Sequence, residues 1–265
     1  MKILLIGDIV GCPGREAVKK IVPELRMGKG IDFVIGNAEN IAGGSGLTSD
    51  TVDELLCSQV DVVTSGDHIW KKKEIYERLE KDRRILRPAN YPECCPGRGA
   101  GVIKSSSGKA VGVINVLGRV FMNHADGCPF RIAEKEIERL SKDTKIILVD
   151  MHAEATSEKI AIGRFLDGSV SAIFGTHTHV QTADEKILAR GSAYITDLGM
   201  TGSQDSVIGR KVDSIIEHFL TCMPTRFDMA DKDVELQGAI VEIDEETGRA
   251  SSIERVREKL KDYVK

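Results

Sequence analysis

Acidic, amide and imidazole side chains recur in this chain just beyond short apolar runs. Ile3 to Ile6 leads into Gly7-Asp8, and Phe33 to Ile35 leads into Gly36-Asn37-Ala38-Glu39-Asn40. Asp61 to Thr64 is followed by Ser65-Gly66-Asp67-His68, Ile146 to Val149 by Asp150-Met151-His152, and Val170 to Phe174 by Gly175-Thr176-His177-Thr178-His179. Four of the six histidines fall at these positions. One aspartate after a strand is a common accident, and Asp8 alone would serve equally well as a helix N-cap for the segment opening at Pro13-Gly14. Five such ends together point to metal ligation. Carboxylate oxygen and imidazole nitrogen suit manganese, iron or zinc without any thiolate. A carboxylate such as Glu39 can bridge two cations, and two cations side by side stabilise both the attacking and the leaving oxygen of an in-line displacement at phosphorus.

Such residues converge only if their strands end on one rim, which is where open α/β sheets place their sites. The rest of the chain fits that demand. Further strands are expected at Ala110 to Val116 and Ala193 to Ile195, and a hairpin is expected from Ala239 to Ile243 and Ala250 to Val256 around Thr247-Gly248. Helical periodicity covers Arg15 to Leu25, Thr51 to Leu56, Lys71 to Leu79 and Ile132 to Leu140. Alternation of strand and helix predicts an α/β fold with largely buried strands. Residues 80–109, rich in proline and glycine, read as a looped insertion rather than a boundary, so residues 1–265 are expected to form a single domain.

Composition narrows the function classes. A net charge of −4 provides no basic footprint for gripping a polyanion, so nucleic acid is not expected as a partner. No apolar run is long enough for a membrane span or a signal peptide, and the six cysteines include no CxxC pair. A cytoplasmic enzyme with reduced thiols is expected.

The ordered motifs Gly7-Asp8, Gly36-Asn37-Ala38-Glu39-Asn40, Gly66-Asp67-His68, His152 and Gly175-Thr176-His177-Thr178-His179 resemble those of the calcineurin-like metallophosphoesterase superfamily. The likeness is closest to its YmdB-like branch of cyclic-nucleotide phosphodiesterases. It extends through Arg87-Pro88-Ala89-Asn90-Tyr91, Thr196-Asp197-Leu198-Gly199-Met200-Thr201-Gly202 and Asp205-Ser206-Val207-Ile208-Gly209. The resemblance implies a four-layer α/β/β/α sandwich around two divalent or mixed-valence ions, iron or manganese. It implies Asp8, Asn40 and His179 at one metal, Asp67, His152 and His177 at the other, and Glu39 between them. His68 would be the general acid, and the activity would be opening of 2′,3′-cyclic nucleotides at the 2′-oxygen.

Two positions depart from the superfamily pattern. Val10 stands where a histidine is usual, an absence typical of the YmdB-like branch, with Asn40 able to fill the gap. Asp67 stands where asparagine is common. Two divalent ions would be balanced charge for charge by Asp8, Glu39, Asp67 and a bridging hydroxide, whereas asparagine would leave one positive charge in excess. Asp67 is therefore expected to weaken attraction for phosphate, to favour a mixed-valence state, or to accept a proton from His68.

Around the site, Arg15, Gly43, Gly44 and His124 are candidates for substrate contact, Arg15 because it sits just inside a helix that opens after Asp8. Trp70 reads equally as core or as a base-stacking platform. Lys71-Lys72-Lys73 reads as a solvated helix face, and His218 as a helix-packing residue. The competing functions are a nuclease, a phosphoprotein phosphatase, and a regulatory protein that holds cyclic nucleotide without turnover. Self-association into a homo-oligomer is compatible with the sequence.

Overall fold

Hydrophobic alternation along the first strand sets up the architecture. In β1 (Lys2–Ile6), Leu4 and Ile6 face one apolar cluster while Ile3 and Leu5 face another. A strand buried on both faces needs a layer on each side. The computed structural model, which describes residues 1–122 and 127–261, supplies both.

The first sheet adds β2 (Asp8–Ile9), β3 (Phe33–Asn37), β4 (Val62–Thr64), β11 (Met200–Ser203), β12 (Val234–Ile243) and β13 (Ala250–Lys259), in the order β2-β11-β12-β1-β3-β4 with β13 on β12. The second contains β5 (Ala100–Lys104), β6 (Ala110–Leu117), β7 (Ile147–His152), β8 (Ala172–Thr176), β9 (Lys186–Ile187) and β10 (Ala193–Ile195), ordered β5-β6-β7-β8-β10-β9. Between the sheets lie Ile3, Leu5, Phe33 and Val62 from one and Val113, Leu148, Phe174 and Ile195 from the other. Helices α1 (Gly11–Lys29), α2 (Ser49–Cys57) and α3 (Ile75–Lys81) bury Val18, Val52 and Leu79 against the outer face of the first sheet. Helices α4 (Pro129–Leu140) and α5 (Thr156–Leu166) bury Ala133 and Ile162 against the outer face of the second. Helix, sheet, sheet, helix is the four-layer sandwich that the resemblance implies.

Within each sheet the strands that carry the motifs run parallel. β1 pairs β3 and β3 pairs β4 in parallel register, and β6, β7, β8 and β10 follow suit. Their C-terminal ends therefore emerge along one rim, with Asn37 level with Thr64 and His152 level with Thr176.

Three expectations need correction. Residues 80–109 are not all loop, because β5 pairs antiparallel with β6 across Ala100↔Ile114 to Lys104↔Ala110. Its Ala-Gly-Val-Ile-Lys run lies close behind Gly97 and Gly99, which hide it from any periodicity. The expected Lys71 to Leu79 helix starts late: α3 covers Ile75–Lys81, and the 3-10 turn Asp67–Trp70 lies before the expected segment. The C-terminal hairpin is longer than expected, with a register shift between Glu242 and Ile243. Helix α6 (Val212–Thr221) carries His218, whose Nδ1 donates at 2.9 Å to the carbonyl of Met223, just past the Cys222 cap.

Candidate metal centre

Two groups of donors meet on the rim and share one residue. Glu39, Asp67, His152 and His177 place one donor atom each within 4.8 Å of one another, and so do Asp8, Glu39 and His179. Glu39 is 1% exposed and presents both oxygens: Oε2 lies 3.1 Å from His152 Nε2, and Oε1 accepts from Asn40 Nδ2 at 2.8 Å.

The hydrogen-bond partners of the imidazoles decide what faces inward. Thr176 Oγ1 donates its one proton to Asp150 Oδ1 at 2.7 Å, so at 2.9 Å it must accept from His152 Nδ1. His179 Nδ1 lies 3.3 Å from the carbonyl of Ile208, which can only accept. His177 Nε2 lies 3.3 Å from Glu154 Oε2. Each outer nitrogen thus holds a proton, and each inner nitrogen of a neutral ring is a lone pair. His177 Nδ1 and His152 Nε2 then confront each other at 3.0 Å. Asp8 Oδ1 and Asp67 Oδ1 are buried with no hydrogen-bond partner among the described residues. With the rings neutral, acceptors face acceptors and two carboxylate oxygens are orphaned, an arrangement that a cation completes.

Electrostatics agree. Burial pushes the Asp8 carboxyl well above its usual range. Burial, then the neighbouring His152, pull His177 down to about 4, and burial lowers His179. For Glu39 burial works in the opposite direction, but the charges of His152, His68 and His177 outweigh it and hold the carboxyl well below normal. Against its burial, the carboxylates of Glu39, Asp67 and Asp8 push His152 well above the usual histidine value, so without a cation His152 itself carries the positive charge of the cluster. A metal ion among these groups would take over that charge and favour carboxylate and lone-pair imidazole at once.

Local backbone geometry serves the cluster. His177 and His179 both adopt positive φ, at 100° and 64°. Such conformations are costly outside glycine and persist where surrounding contacts impose them. Here Asp8 Oδ2 accepts from His177 N at 2.9 Å, and Asp197 Oδ2 accepts from Thr178 Oγ1 at 2.7 Å. Asp197 is in turn paired with Lys159 Nζ at 2.6 Å, both side chains being 1% exposed. At Gly66 a Cβ would lie 2.2 Å from His152 Nε2 and 2.3 Å from Glu39 Oε2, so no larger residue fits beneath the centre.

These motifs match a family model described as YmdB-like protein over residues 4–256. The chain belongs to the YmdB-like family. It is 46% identical over 256 residues to a protein of Bacillus subtilis (strain 168) named 2′,3′-cyclic-nucleotide 2′-phosphodiesterase, covering 97% of this chain and 96% of that one. A crystal structure of a hypothetical protein from Thermus thermophilus superposes with a TM-score of 0.90 at 38% identity, covering 98% of this chain and 99% of that one. A structure described as a novel phosphatase, from Mycoplasma pneumoniae, gives 0.90 at 32% identity, over 98% and 93% of the two chains. The family and the cluster together suit metal binding.

In this YmdB-like protein all seven residues expected as ligands converge, but Asn40 does so with a particular orientation. Its Oδ1 lies 2.8 Å from His68 Nδ1, and its Nδ2 lies 3.3 Å from His179 Nε2. The ligand role that the resemblance implies for Asn40 calls for the amide reversed. His68 is held by Asn40, with Glu39 Oε1 at 3.5 Å, so the expected proton acceptor Asp67 is not its partner. Asp67 Oδ1 faces His152 and His177 instead, at 3.6 and 3.8 Å. Asp8 is not a helix cap: Val10 occupies that position, without a side-chain hydrogen bond.

Among the substrate-contact candidates, Arg15 does not reach the centre. It lies on α1 facing α2, where Nε pairs with Glu54 Oε2 and Nη1 donates to the Ile41 carbonyl, both at 2.5 Å. Gly44 borders the cavity of about 380 Å³ over the centre, which His68, Glu154, His179 and Arg210 also line. Gly43 is exposed and lies outside that lining. His124 lies outside the described residues. Trp70 packs edge-on between Tyr76 and Tyr91 against the core, and Lys71, Lys72 and Lys73 are exposed. Arg87 donates to the carbonyls of Pro88, Pro92 and Pro96, which makes it a clamp for its own loop. Sequence reasoning missed Asn37, Asp150, Glu154, Lys159 and Arg210. Asn37 and Asp150 stood in the Glu39 and His152 motifs, but the rest carried no positional signal.

Proposed function

We propose that this protein hydrolyses 2′,3′-cyclic nucleotides at the 2′-oxygen with two metal ions, iron or manganese. The observation that carries the reading is the pair of donor groups hinged on Glu39, each with one orphaned carboxylate oxygen, Asp67 Oδ1 in one and Asp8 Oδ1 in the other. Asp67, His152 and His177 would hold one ion, Asp8, His179 and Asn40 the other, and Glu39 both. Bound there, two ions activate water and stabilise negative charge as phosphorus is attacked. The name of the Bacillus subtilis relative supports the cyclic nucleotide as substrate class.

His68 is the group placed to protonate the leaving oxygen. It lines the cavity with its side chain 32% exposed, and its Nδ1 is anchored on Asn40, which leaves Nε2 for the substrate. A histidine suits this task because its ordinary pKa of ~6.5 lies near working pH. Glu154 orients His177 from the cavity side. No described helix is long and apolar enough to cross a membrane. The free thiols of Cys12, Cys57, Cys94, Cys128 and Cys222 support a reducing, cytoplasmic location.

The test is metal analysis of anaerobically purified protein, followed by assay on 2′,3′-cyclic AMP and a generic diester. Two ions per chain and turnover of the cyclic nucleotide are expected. His68→Ala should retain metal and lose roughly 10²–10⁴ in kcat. Full metal occupancy with no hydrolysis of any diester would instead establish a binding protein, and an unchanged His68→Ala rate would remove the proposed acid.

A further inference from the structure

Arg210 shares the cavity with His68 and His179, and nothing in the chemistry above employs it. Its guanidinium is held by neutral groups only. Nη2 donates to the Gly44 carbonyl at 2.7 Å, and Nη1 donates to the carbonyls of Phe227 at 3.1 Å and Gly43 at 3.4 Å. No carboxylate pairs with it among the described residues. Burial lowers its pKa from the usual arginine range, with no anion to compensate.

A guanidinium has five N–H groups. Carbonyls take three, which leaves Nε–H and the second Nη2–H without a partner among the described residues. Nε and Nη2 share one edge of the guanidinium plane, the fork that matches two oxygens of a phosphate. The brace behind the fork is tight. Gly44 adopts a φ of 83°, and a Cβ there would lie 2.6 Å from Arg210 Nη2. The same loops carry the centre, since Gly44 N donates to the Asn40 carbonyl at 3.1 Å and His179 Nδ1 to that of Ile208.

We propose that Arg210 is a substrate-binding residue whose Nε–H and Nη2–H take two non-bridging oxygens of the substrate phosphate, with Gly43, Gly44 and Phe227 positioning it through their carbonyls. The assignment rests on the phosphodiesterase reading and gives that reading its charged phosphate anchor. It also gives Gly43 and Gly44 a role, because they act through Arg210 rather than on the substrate.

The experiment titrates inorganic phosphate into the metal-loaded protein by calorimetry, for the parent, Arg210→Ala and Arg210→Lys, with metal content measured on each. Loss of a charge-assisted pair of hydrogen bonds is expected to weaken phosphate binding about ten- to hundredfold in Arg210→Ala at unchanged metal content. Arg210→Lys restores the charge without the fork and should recover only part of the loss. With 2′,3′-cyclic AMP the same variants should raise KM more than they lower kcat. Arg210→Gln, which keeps a donor for the Gly44 carbonyl, carries the test if alanine unfolds the loop. Phosphate binding within twofold of the parent in Arg210→Ala, a fully recovered Arg210→Lys, or a metal-loaded parent that binds no phosphate overturns the proposal. A parent that binds phosphate through Arg210 but cleaves no diester would defeat the phosphodiesterase reading alone.

Discussion

Gly66→Ala probes the centre without removing a donor. The φ of Gly66 is −153°, outside the left-handed region that favours glycine, so the close neighbours of the added Cβ dominate the effect of alanine. What it meets is the cluster, with Cβ 2.2 Å from His152 Nε2 and 2.3 Å from Glu39 Oε2, where ordinary contact begins at 3.4 Å. Each donor must retreat by about 1 Å to reach contact distance. Neither moves freely, because His152 is fully buried with Nδ1 tied to Thr176 and Glu39 is tied to Asn40. Displaced ligands weaken metal affinity by roughly 10–100-fold, and a shift of about 1 Å at a reacting centre costs about 10²-fold in rate. The assay is metal content after gel filtration, kcat on a generic diester, and Tm in the presence of a chelator. Metal loss and a rate drop of about 10² are expected, with the chelated variant melting within a few degrees of the chelated parent, because the three apolar clusters are untouched. A variant with parental metal content and parental turnover would refute the claim that this glycine marks the floor of the centre. A large loss of Tm under chelation would move the effect from the centre to the fold.

Three other perturbations test separate parts of the structure. Lys159→Met leaves Asp197 buried without its cation and should cost about 3–5 kcal/mol by urea denaturation; a midpoint equal to the parent's would show that Thr178 and Gly199 satisfy Asp197 by themselves. Asp67→Asn removes one negative charge beside His152 and His177, and should tighten phosphate inhibition about tenfold while loosening the metal. Unchanged metal content, phosphate affinity and pH–rate profile would strip Asp67 of the role given to its charge. Asp82, held down to about 2 by hydrogen bonds from Arg84 that outweigh its burial, contributes stability that is full above the unfolded pKa near 3.8 and is lost as pH falls through about 2. Asp82→Asn should therefore cost about 1 kcal/mol at pH 7, allowing for solvent screening, and the gap to the parent should shrink between pH 4 and pH 2 in denaturation curves; a gap that widens there would contradict the assignment.

Legibility in the sequence followed physical conspicuousness. Ile3 to Ile6 and Phe33 to Ile35 announce buried strands because both their faces are apolar, and the polar residue that ends such a run stands out. Asp8, Glu39, Asp67, His152, His177 and His179 were readable for that reason. The edge strand Ala100–Lys104 was not, since an edge is buried less and glycines close before it erase its pattern. Lys159 follows Glu158 on a helix and looks like any solvated lysine. Only the close approach of α5 to the loop after β10 reveals it as buried. Arg15 misled in the opposite sense: its place one turn into a helix after Asp8 suggested the site, but which way a helical residue faces depends on the neighbour that the helix packs against, here α2. Arg210 is legible only once Gly43, Gly44 and Phe227, distant in sequence, are seen to surround it.

The partners of the imidazoles explain how so many acceptors are held together. A cation contributes binding energy most effectively when its ligands are already oriented and already in the right tautomer. The Asp150–Thr176 pair does this for His152, the Ile208 carbonyl for His179, and Glu154 for His177. Holding these lone pairs at close range, with His177 and His179 at positive φ, is unfavourable by itself, and something remote from the centre must resist its collapse. The Lys159–Asp197 pair is placed to do so, because it grips Thr178 between the two strained histidines and Gly199 on the adjoining loop. That placement makes Lys159→Met a functional as well as a structural variant. Its metal affinity should fall along with its stability, whereas a substitution that weakens only an apolar layer, such as Val18→Ala on the buried face of α1, should lower stability and leave metal affinity alone.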